Sequence, residues 1–378
     1  SQTIRKTMYN YFMPTNIFFG ENSLKENLIS KLSSDNKILI VTGKNSAKIS
    51  GVQSDLTELL ETNKIEYKVF DKITENPKLE TVHEGANYFL QNNCNMVIGI
   101  GGGSPIDSAK AISIISANKF TNKEFYDSEK IQKAFPIIAI PTTSGTGTEA
   151  TQYSVITDTE KNRKAGFGSP IMFPKYSFLD PKYTISLPKI ITRDTAIDAL
   201  SHLIEGIYSN KRNKIVYPLI YDGVKLIFEN LKNTLENPND IHLREKLMLA
   251  SLYGGIVIAQ TGTTMQHAIG YPLTTNFGVS HGLANGVVMK QIMEKFYPAV
   301  ENDLDELFTF LNIQKNDFYD WLDSLDLGIN ANLNSEFIEK NTAQVLGSKN
   351  MLKNPMEINS DDIMEIYSSV RGLRGLGG

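Results

Sequence analysis

The sequence predicts an α/β domain with a parallel sheet, followed by an all-helical domain. Its 378 residues exceed the usual size of one hydrophobic core, so we expect the chain to divide. In the first half, short β-rich runs alternate with helical patterns, and the runs stop at glycine or threonine. From about Thr192 onward, long helical periodicities follow one another with almost no strand signal. We place the boundary near Ser186–Pro188, which gives domains 1–186 and 187–378.

The predicted strands of the first half end in glycine-rich segments. These strands are "KILIVTG" (37–43), "MVIGIGGG" (96–103) and "FPIIAIPTTSGTG" (135–147). Between the first two lie the helical pattern "SGVQSDLTELLETNKI", the β-rich run "YKVFDKI" and the helical pattern "LETVHEGANYFLQNN". Such alternation is typical of a parallel sheet with crossover helices. Ligands bind such sheets at the carboxyl ends of the strands, where these glycines fall.

The second half contains a helix that we expect to be buried on all sides. "REKLMLASLYGGIVIAQTG" (244–262) is apolar on nearly every face, with small residues interspersed. A surface helix would keep one polar face, so this segment predicts the centre of a helical domain.

Composition and charge exclude several classes of partner. The net charge is −4 and the pI about 5.8, with no long basic run, so we expect neither a nucleic-acid nor an anionic-membrane partner. No apolar segment reaches the roughly 18–20 residues that span a bilayer. The single cysteine, Cys94, cannot form an intrachain disulfide, which favours a cytoplasmic location. Cys94 precedes a strand-like run, and we interpret it as a buried, inert thiol.

The segment "GIGGGSPIDSAKAISIIS" predicts a strand end, a turn and a helix N-terminus. Three consecutive glycines would let a ligand approach the backbone closely: Gly101, Gly102 and Gly103. Ser104 suits the N-cap, Pro105 the first helical position and Asp107 the third. Free N–H groups at such a helix end attract phosphate. The segment matches neither G-x-G-x-x-G nor a Walker A loop, and the alternative is a well-capped turn without a ligand.

A second loop, "PTTSGTGTEAT" (141–151), follows another predicted strand and is rich in hydroxyl groups. Alone it could be a surface turn, but paired with the glycine turn it resembles the other side of a dinucleotide cleft. An NAD site usually carries an acidic residue at a strand end to bind the ribose 2′-hydroxyl. Here the first predicted strand ends at Gly43, followed by Lys44, Asn45 and Ser46. This neutral end favours NADP(H) over NAD(H).

Asp198 and His202, in "DALSHLIEG", lie four residues apart and would project from one helix face. Such a pair can hold a divalent cation, although a hydrogen-bonded surface pair is the alternative. His267 and His281 flank Pro272 and cannot share one uninterrupted helix. We expect His267 to close the buried helix and His281 to open the next. One carboxylate and three imidazoles would suit Fe²⁺ or Zn²⁺.

Four segments, "GGGSPIDSAKAI", "PTTSGTGTEAT", "DALSHLIEG" and "HAIGYPLTTNFGVSHGLANG", resemble the iron-containing (group III) alcohol dehydrogenase family. The resemblance extends over nearly the whole chain. It implies a Rossmann-like N-terminal domain and an all-α C-terminal domain, the architecture of dehydroquinate synthase. A cleft between them would hold NAD(P) and a metal ion, and a homodimer would be the expected assembly.

The resemblance also implies roles for individual residues. It implies four metal ligands: Asp198, His202, His267 and His281. It implies pyrophosphate contacts at Gly102, Gly103 and Ser104, and contacts along the nicotinamide half at Thr142, Thr143 and Thr146. It implies three further cofactor contacts or determinants: Asn76, Lys164 and Gly43, the last at a position that is acidic in NAD-preferring members.

One residue departs from the family pattern. Many members have another histidine four residues after the third ligand, where this chain has Tyr271. A phenol with a pKa near ~10 is a poor general base at neutral pH, so we expect Tyr271 to orient and not to abstract a proton.

The predicted function is hydride transfer between NADP(H) and a short-chain primary alcohol or diol, or its aldehyde. Two alternatives share the fold, a zinc enzyme similar to glycerol dehydrogenase and one similar to dehydroquinate synthase. The latter needs a basic pocket, which the sequence around His267 does not supply. A third alternative is a catalytically silent protein that binds metal and nucleotide.

Overall fold

The computed structural model describes residues 8–370, and these form a sheet-containing part followed by a helical part. The strands are β1 Asn16–Phe19, β2 Lys37–Gly43, β3 Glu66–Ile73, β4 Met96–Gly101, β5 Ile137–Pro141, β6 Tyr153–Asp158, β7 Arg163–Gly168 and β8 Tyr176–Leu179. The helices are α1 Ser23–Asn27, α2 Ser46–Ile49, α3 Val52–Thr62, α4 Leu79–Gln91, α5 Gly103–Asn118, α6 Lys189–Tyr208, α7 Tyr217–Glu236, α8 Ile241–Thr261, α9 Met265–Phe277, α10 His281–Gly286, α11 Met289–Leu311, α12 Lys315–Asp323, α13 Ser335–Leu346 and α14 Ser360–Ser368.

Six strands form a parallel sheet in the order β1-β8-β5-β4-β2-β3. The predicted parallel sheet is therefore confirmed. β4 lies between β2 and β5, and Gly101 at its end pairs with Pro141 at the end of β5. Because all the strands run the same way, the glycine turn and the hydroxyl-rich loop leave the same edge of the sheet.

Both faces of the sheet are covered by helices. Ile38, Ile40 and Ile98 point to the face packed by α3. Leu39 and Val97 point to the opposite face, packed by α4 and α5. Successive strand residues alternate between faces, so covering both makes a strand apolar throughout. Burying each Leu or Ile stabilises the fold by roughly 1.5–3 kcal/mol, which is why these short runs were predictable.

An antiparallel hairpin of β6 and β7 was absent from the predicted elements. Its segments mix polar residues and glycine, so they lack the apolar signature of the buried strands. The hairpin forms because Ile156 and Phe167 pack into the cluster beneath α5. Lys164 lies on β7 of this hairpin, and the strand β7 contacts α9 of the helical part.

The helical part is built around α6 and α8, and the prediction of a buried helix at α8 is confirmed. Glycines allow close approach there: a Cβ on Gly254 would lie 3.2 Å from the Cβ of His202 on α6. A Cβ on Gly147, in the hydroxyl-rich loop, would lie 2.5 Å from the Cα of Gly255. These contacts hold the loop of the first part directly against the helices of the second.

Two local predictions were wrong. The helix α5 begins at Gly103 with Gly102 as the N-cap, so Ser104 is its second residue and not its cap. Because the backbone of Gly102 is extended, the helix begins after Gly102, two residues before the predicted start. His267 does not close the buried helix either, because Gly262 at φ +66° ends α8 and His267 lies in the first turn of α9. His281 opens α10 as predicted.

The predicted boundary near Ser186–Pro188 falls between β8 and α6 and stays a prediction.

Cys94 is buried, as predicted, and burial raises the pKa of its thiol to about 11. None of the helices formed by residues 8–370 is both long and apolar enough to cross a membrane.

Candidate metal centre and cofactor cleft

The four predicted metal ligands meet in space from three helices. Asp198 and His202 lie on α6, His267 on α9 and His281 on α10, and one ligand atom from each lies within 4.8 Å of the others. The Oδ1 atom of Asp198 is 3.6, 3.7 and 3.4 Å from the Nε2 atoms of His202, His267 and His281. The Nε2 atoms of His202 and His267 are 3.1 Å apart.

This donor set fits a divalent cation. Four donors at about 2.1 Å from a tetrahedral ion lie about 3.4 Å from one another, which matches the observed separations. One carboxylate oxygen with three imidazole nitrogens is a set that both Fe²⁺ and Zn²⁺ accept.

The protonation states also suit a cation. Burial favours the neutral carboxyl of Asp198, but the three imidazoles and a hydrogen bond from Asn285 outweigh it and lower the Asp198 pKa to about 2. Burial lowers the pKa of His202, and it lowers the pKa of His281 well below the ordinary value. An ionised carboxylate and a neutral imidazole are the forms that bind metal, so Asp198, His202 and His281 suit a cation as they stand. The pKa of His267 is raised, so this ligand must release its Nε2 proton to a binding cation.

Glu205 is a site residue that the sequence reasoning missed. It is fully buried on α6, and its Oε2 lies 2.5 Å from Nδ1 of His267. Its Oε1 accepts hydrogen bonds from the backbone N and the Oγ1 of Thr264, at 2.8 and 2.9 Å. Burial opposes the positive charge of His267, but Glu205 outweighs it and raises the His267 pKa. Glu205 lies seven residues, or two helical turns, after Asp198, and this spacing on the face that carries Asp198 and His202 could have indicated its role.

Asn285 was missed as well. It is fully buried on α10, four residues after His281, and its Nδ2 donates a 3.0 Å hydrogen bond to Oδ1 of Asp198. The same nitrogen is 3.2 Å from Nε2 of His267. A Cβ on Gly270 would lie 2.5 Å from the Asn285 oxygen, so only glycine at position 270 leaves room for this amide.

Tyr271 lies one turn after His267 and stacks on His281, with ring centroids 5.7 Å apart and an interplanar angle of 21°. The Nζ atom of Lys164 lies 5.7 Å from the centre of the same ring. Burial raises the Tyr271 pKa well above its ordinary value, and a hydrogen bond with Asn350 only partly opposes this. The phenol is therefore protonated at neutral pH.

The cofactor residues predicted from the sequence, with one exception, line a single cavity of about 1030 Å³. Those that line it are Gly43, Asn76, Gly102, Gly103, Ser104, Asp107, Thr142, Thr143, Thr146 and Lys164. The four metal ligands and Tyr271 line the same cavity. A cavity of this size and mixed polarity is typical of small-molecule and cofactor sites.

Gly101 is the exception, because it is not among the lining residues. Gly101 has a φ of +140°, and an added Cβ would lie 2.7 Å from Cγ of Pro105. The conformation of the turn therefore requires glycine at this position. Lys44 is exposed and does not line the cavity either, whereas Ser46 does. The residues that the end of β2 and the segment after it contribute to the cavity, Gly43 and Ser46, are therefore both uncharged.

The glycine turn forms a cradle that fits a dinucleotide phosphate. A Cβ on Gly103 would lie 2.7 Å from Cγ2 of Thr146, and one on Gly102 would lie 3.3 Å from Cγ2 of Thr143. Side chains there would fill the space over the helix N-terminus. The buried Oγ1 of Thr142 has no hydrogen-bond partner among the described residues. Asn76 has a left-handed φ of 55°, a conformation that asparagine tolerates.

Asp107 binds protein groups of the second loop. It accepts hydrogen bonds from Oγ1 of Thr148 at 2.6 Å and from the backbone N of Val155 at 2.9 Å.

The buried Lys110, which sequence reasoning missed, donates to Thr148, Thr151 and the backbone oxygen of Tyr153. Burial lowers the Lys110 pKa to about 8. A lysine within an alanine- and isoleucine-rich helix was the available signal. Together these groups tie the hydroxyl-rich loop to α5.

Comparison with known proteins gives a consistent result across the chain. Residues 14–181 match the family model described as iron-containing alcohol dehydrogenase. Residues 192–371 match the C-terminal model of the Fe-containing alcohol dehydrogenase family.

The long-chain primary alcohol dehydrogenase of Thermoanaerobacter ethanolicus is 33% identical over 301 residues, which cover 77% of this chain and 75% of that protein. The 1,3-propanediol dehydrogenase of Citrobacter freundii is 29% identical over 328 residues, covering 86% and 84%. The solved structure of an iron-containing alcohol dehydrogenase from Thermotoga maritima has a TM-score of 0.90 at 36% identity, covering 96% of this chain and 99% of that one.

Proposed function

Because the chain belongs to the iron-containing alcohol dehydrogenase family, we propose that it transfers a hydride between NADP(H) and a short-chain primary alcohol or diol, or its aldehyde. The observation that carries this proposal is the shared cavity. The glycine turn, the hydroxyl-rich loop and the four-residue ligand cluster all line it, so a dinucleotide bound by the loops would lie beside the residues that would hold a metal ion.

We assign the metal site to Asp198, His202, His267 and His281, with Fe²⁺ as the ion and Zn²⁺ as the alternative. A cation of this kind supplies Lewis-acid polarisation of an alcohol or carbonyl oxygen. The chain holds the donors rigidly in buried surroundings, since Asp198, His202 and His267 are at most 3% exposed. Glu205 orients His267, and the Asn285 amide orients the carboxylate of Asp198.

Tyr271 orients groups in the cleft and does not remove a proton. Its ring packs on His281, and its hydroxyl remains protonated at neutral pH because burial raises its pKa. The cleft contains Lys164 beside this ring, so the hairpin of the first part closes over the site.

The preference for NADP(H) over NAD(H) rests on Gly43. It lines the cavity at the end of β2, where an acidic side chain would bind the ribose 2′-hydroxyl and repel a 2′-phosphate. The nearby Ser46 is neutral and also lines the cavity.

Relatives whose names specify methanol, butanol and 1,3-propanediol support a short-chain alcohol or diol. The deciding experiment is an anaerobic screen of the metal-stripped protein. It would combine Fe²⁺ or Zn²⁺, NADPH or NADH, and a panel of short aldehydes and diols. We expect the highest turnover with Fe²⁺, NADPH and a three- or four-carbon aldehyde. No net oxidation of NADPH with any aldehyde would contradict the proposal.

The same screen separates the alternatives. Activity restricted to Zn²⁺ and glycerol would favour the enzyme similar to glycerol dehydrogenase. The basic residues that the sequence around His267 did not indicate are present in the structure, since Lys349 and Lys353 line the same cavity. A lyase reaction without net NADPH consumption would favour the enzyme similar to dehydroquinate synthase. Binding of metal and nucleotide without turnover would favour the silent protein. We further propose a homodimer, following the family, and a cytoplasmic location, which the single buried cysteine supports.

A further inference from the structure

A short helical turn from the C-terminal part forms one wall of the cavity beside Tyr271. It comprises Lys349–Lys353. Within it, Asn350 donates a 3.0 Å hydrogen bond from Nδ2 to Oγ1 of Thr263, and its side chain also hydrogen-bonds Tyr271. Because Tyr271 stacks on His281, this turn lies one side chain away from the metal-ligand cluster.

Two lysines of this turn, Lys349 and Lys353, line the cavity. Lys353 is half-buried and Lys349 is exposed. The Lys353 side chain packs over Gly262, where a Cβ would lie 2.6 Å from its Nζ. Glu205, whose carboxylate contacts His267, is close enough to interact with the Lys353 ammonium group, so this group lies on the same side of the cavity as His267.

The Lys353 ammonium group makes no hydrogen bond or ion pair with any side chain or backbone group within the described part of the chain. Other lysines of the helical part do have carboxylate partners, as Lys290 has Asp323 at 3.1 Å. Burial lowers the Lys353 pKa, and the positive charges of Lys211 and Lys349 add to this. A half-buried cation without a partner is costly, and a bound anion would remove that cost.

Glu205 is the acidic residue that most affects Lys353, but its oxygens are already engaged. One accepts hydrogen bonds from Thr264, and the other contacts His267. The charge of Lys353 therefore remains available to a ligand in the cavity.

We propose that Lys353, with Lys349 at the mouth, forms a carboxylate-binding subsite, and that the preferred substrates are aldehydes with a carboxylate at the far end of a short chain. This inference rests on the proposed function and names the substrate class of that site. The aldehyde carbon accepts a hydride from C4 of the reduced nicotinamide, and its oxygen gains one proton from water. The products are an ω-hydroxy carboxylate and the oxidised dinucleotide, with the carboxylate unchanged.

The test compares aldehydes of equal length with and without the carboxylate. For the metal-loaded enzyme, kcat/KM with NADPH is measured for 4-oxobutanoate and butanal, and for 5-oxopentanoate and pentanal. We expect the carboxylate to raise kcat/KM by about tenfold or more, mainly through KM, as for a charge-assisted contact. This advantage should shrink as ionic strength rises.

Substitution of Lys353 assigns the effect. Lys353→Met should reduce the ratio of the two kcat/KM values by about tenfold or more, whereas Lys353→Arg should retain most of it. Lys232→Met removes an exposed lysine of α7 outside the cavity and should leave the ratio unchanged. Thermal unfolding checks that each variant folds. In the same assay, 4-hydroxybutanoate should raise the Tm of the wild type but not of Lys353→Met.

An equal or higher kcat/KM of the wild type for the aldehyde without a carboxylate, at both chain lengths, would overturn the subsite. So would a Lys353→Met variant that loses activity toward both aldehydes in equal proportion. These results leave the proposed function standing, because butanal is still reduced. No NADPH oxidation with either aldehyde would instead overturn the proposed function and this substrate class together.

Discussion

The Nδ1 atom of His267 lies 2.5 Å from Oε2 of Glu205, and both side chains are almost inaccessible to solvent. The two residues belong to different helices, α9 and α6, and are 62 residues apart in the chain. Because Nδ1 donates its proton to Glu205, Nε2 keeps a free lone pair directed toward Asp198 and the other donors. This contact therefore sets both the tautomer and the orientation of one ligand.

Glu205→Gln should lower the affinity for Fe²⁺ or Zn²⁺ by about 10–100-fold. The amide removes the negative charge and cannot accept from both Thr264 and His267 through two oxygens. The measurement is competition with a chelator of known affinity, and Glu236→Gln, an exposed site on α7, is the matched control. Unchanged affinity would show that Glu205 does not orient the ligand.

Tyr271→Phe should keep at least about a tenth of the wild-type kcat with normal metal content, since the ring can still stack on His281. A kcat below about a hundredth of wild type, at normal metal content, would show that the phenol takes part in proton transfer. Tyr271→His should add an ionisation near the ordinary histidine pKa of about 6.5. Alcohol oxidation should then increase as the pH rises through that value, because the neutral imidazole is the base.

Gly43→Asp should shift the cofactor preference toward NADH, because a carboxylate repels the 2′-phosphate and can bind the 2′-hydroxyl. The ratio of kcat/KM for NADPH to that for NADH should fall by about 100-fold. A Cβ at this position would lie 3.1 Å from the backbone oxygen of Ile73, so Gly43→Ala is the control for crowding alone. Equal ratios in the two variants would contradict the charge argument.

Lys110→Met should lower the free energy of unfolding by about 3–5 kcal/mol, because it leaves the buried oxygens of Thr148, Thr151 and Tyr153 without their hydrogen-bond donor. It should also raise KM for the dinucleotide, since the loop that contains Thr148 loses its tie to α5. Urea unfolding measures the first effect and initial rates the second. Lys133→Met, at an exposed site, should change stability by less than about 0.5 kcal/mol.

The strands β2, β4 and β5 were predictable because each is buried on both faces and ends at a glycine or proline. The hairpin of β6 and β7 was not, since its conformation depends on packing beneath α5. The start of α5 was misplaced by two residues, because Gly102 caps the helix and not Ser104. Local capping preferences are weaker than the geometry of the turn that enters the helix.

The fold class and the donors of the candidate metal site could both be predicted from the amino-acid sequence. Those features depend on local periodicity and on residue types, such as the spacing of Asp198 and His202 on one helix face. The groups that support and surround the donors depend on tertiary packing and could not be predicted. Glu205 on α6 contacts His267 on α9. Lys353 lines the same cavity although it follows His267 by more than 80 residues in the chain. Such partners are chosen by how buried helices pack and by which polar atoms burial leaves to be satisfied, and neither is written in local periodicity.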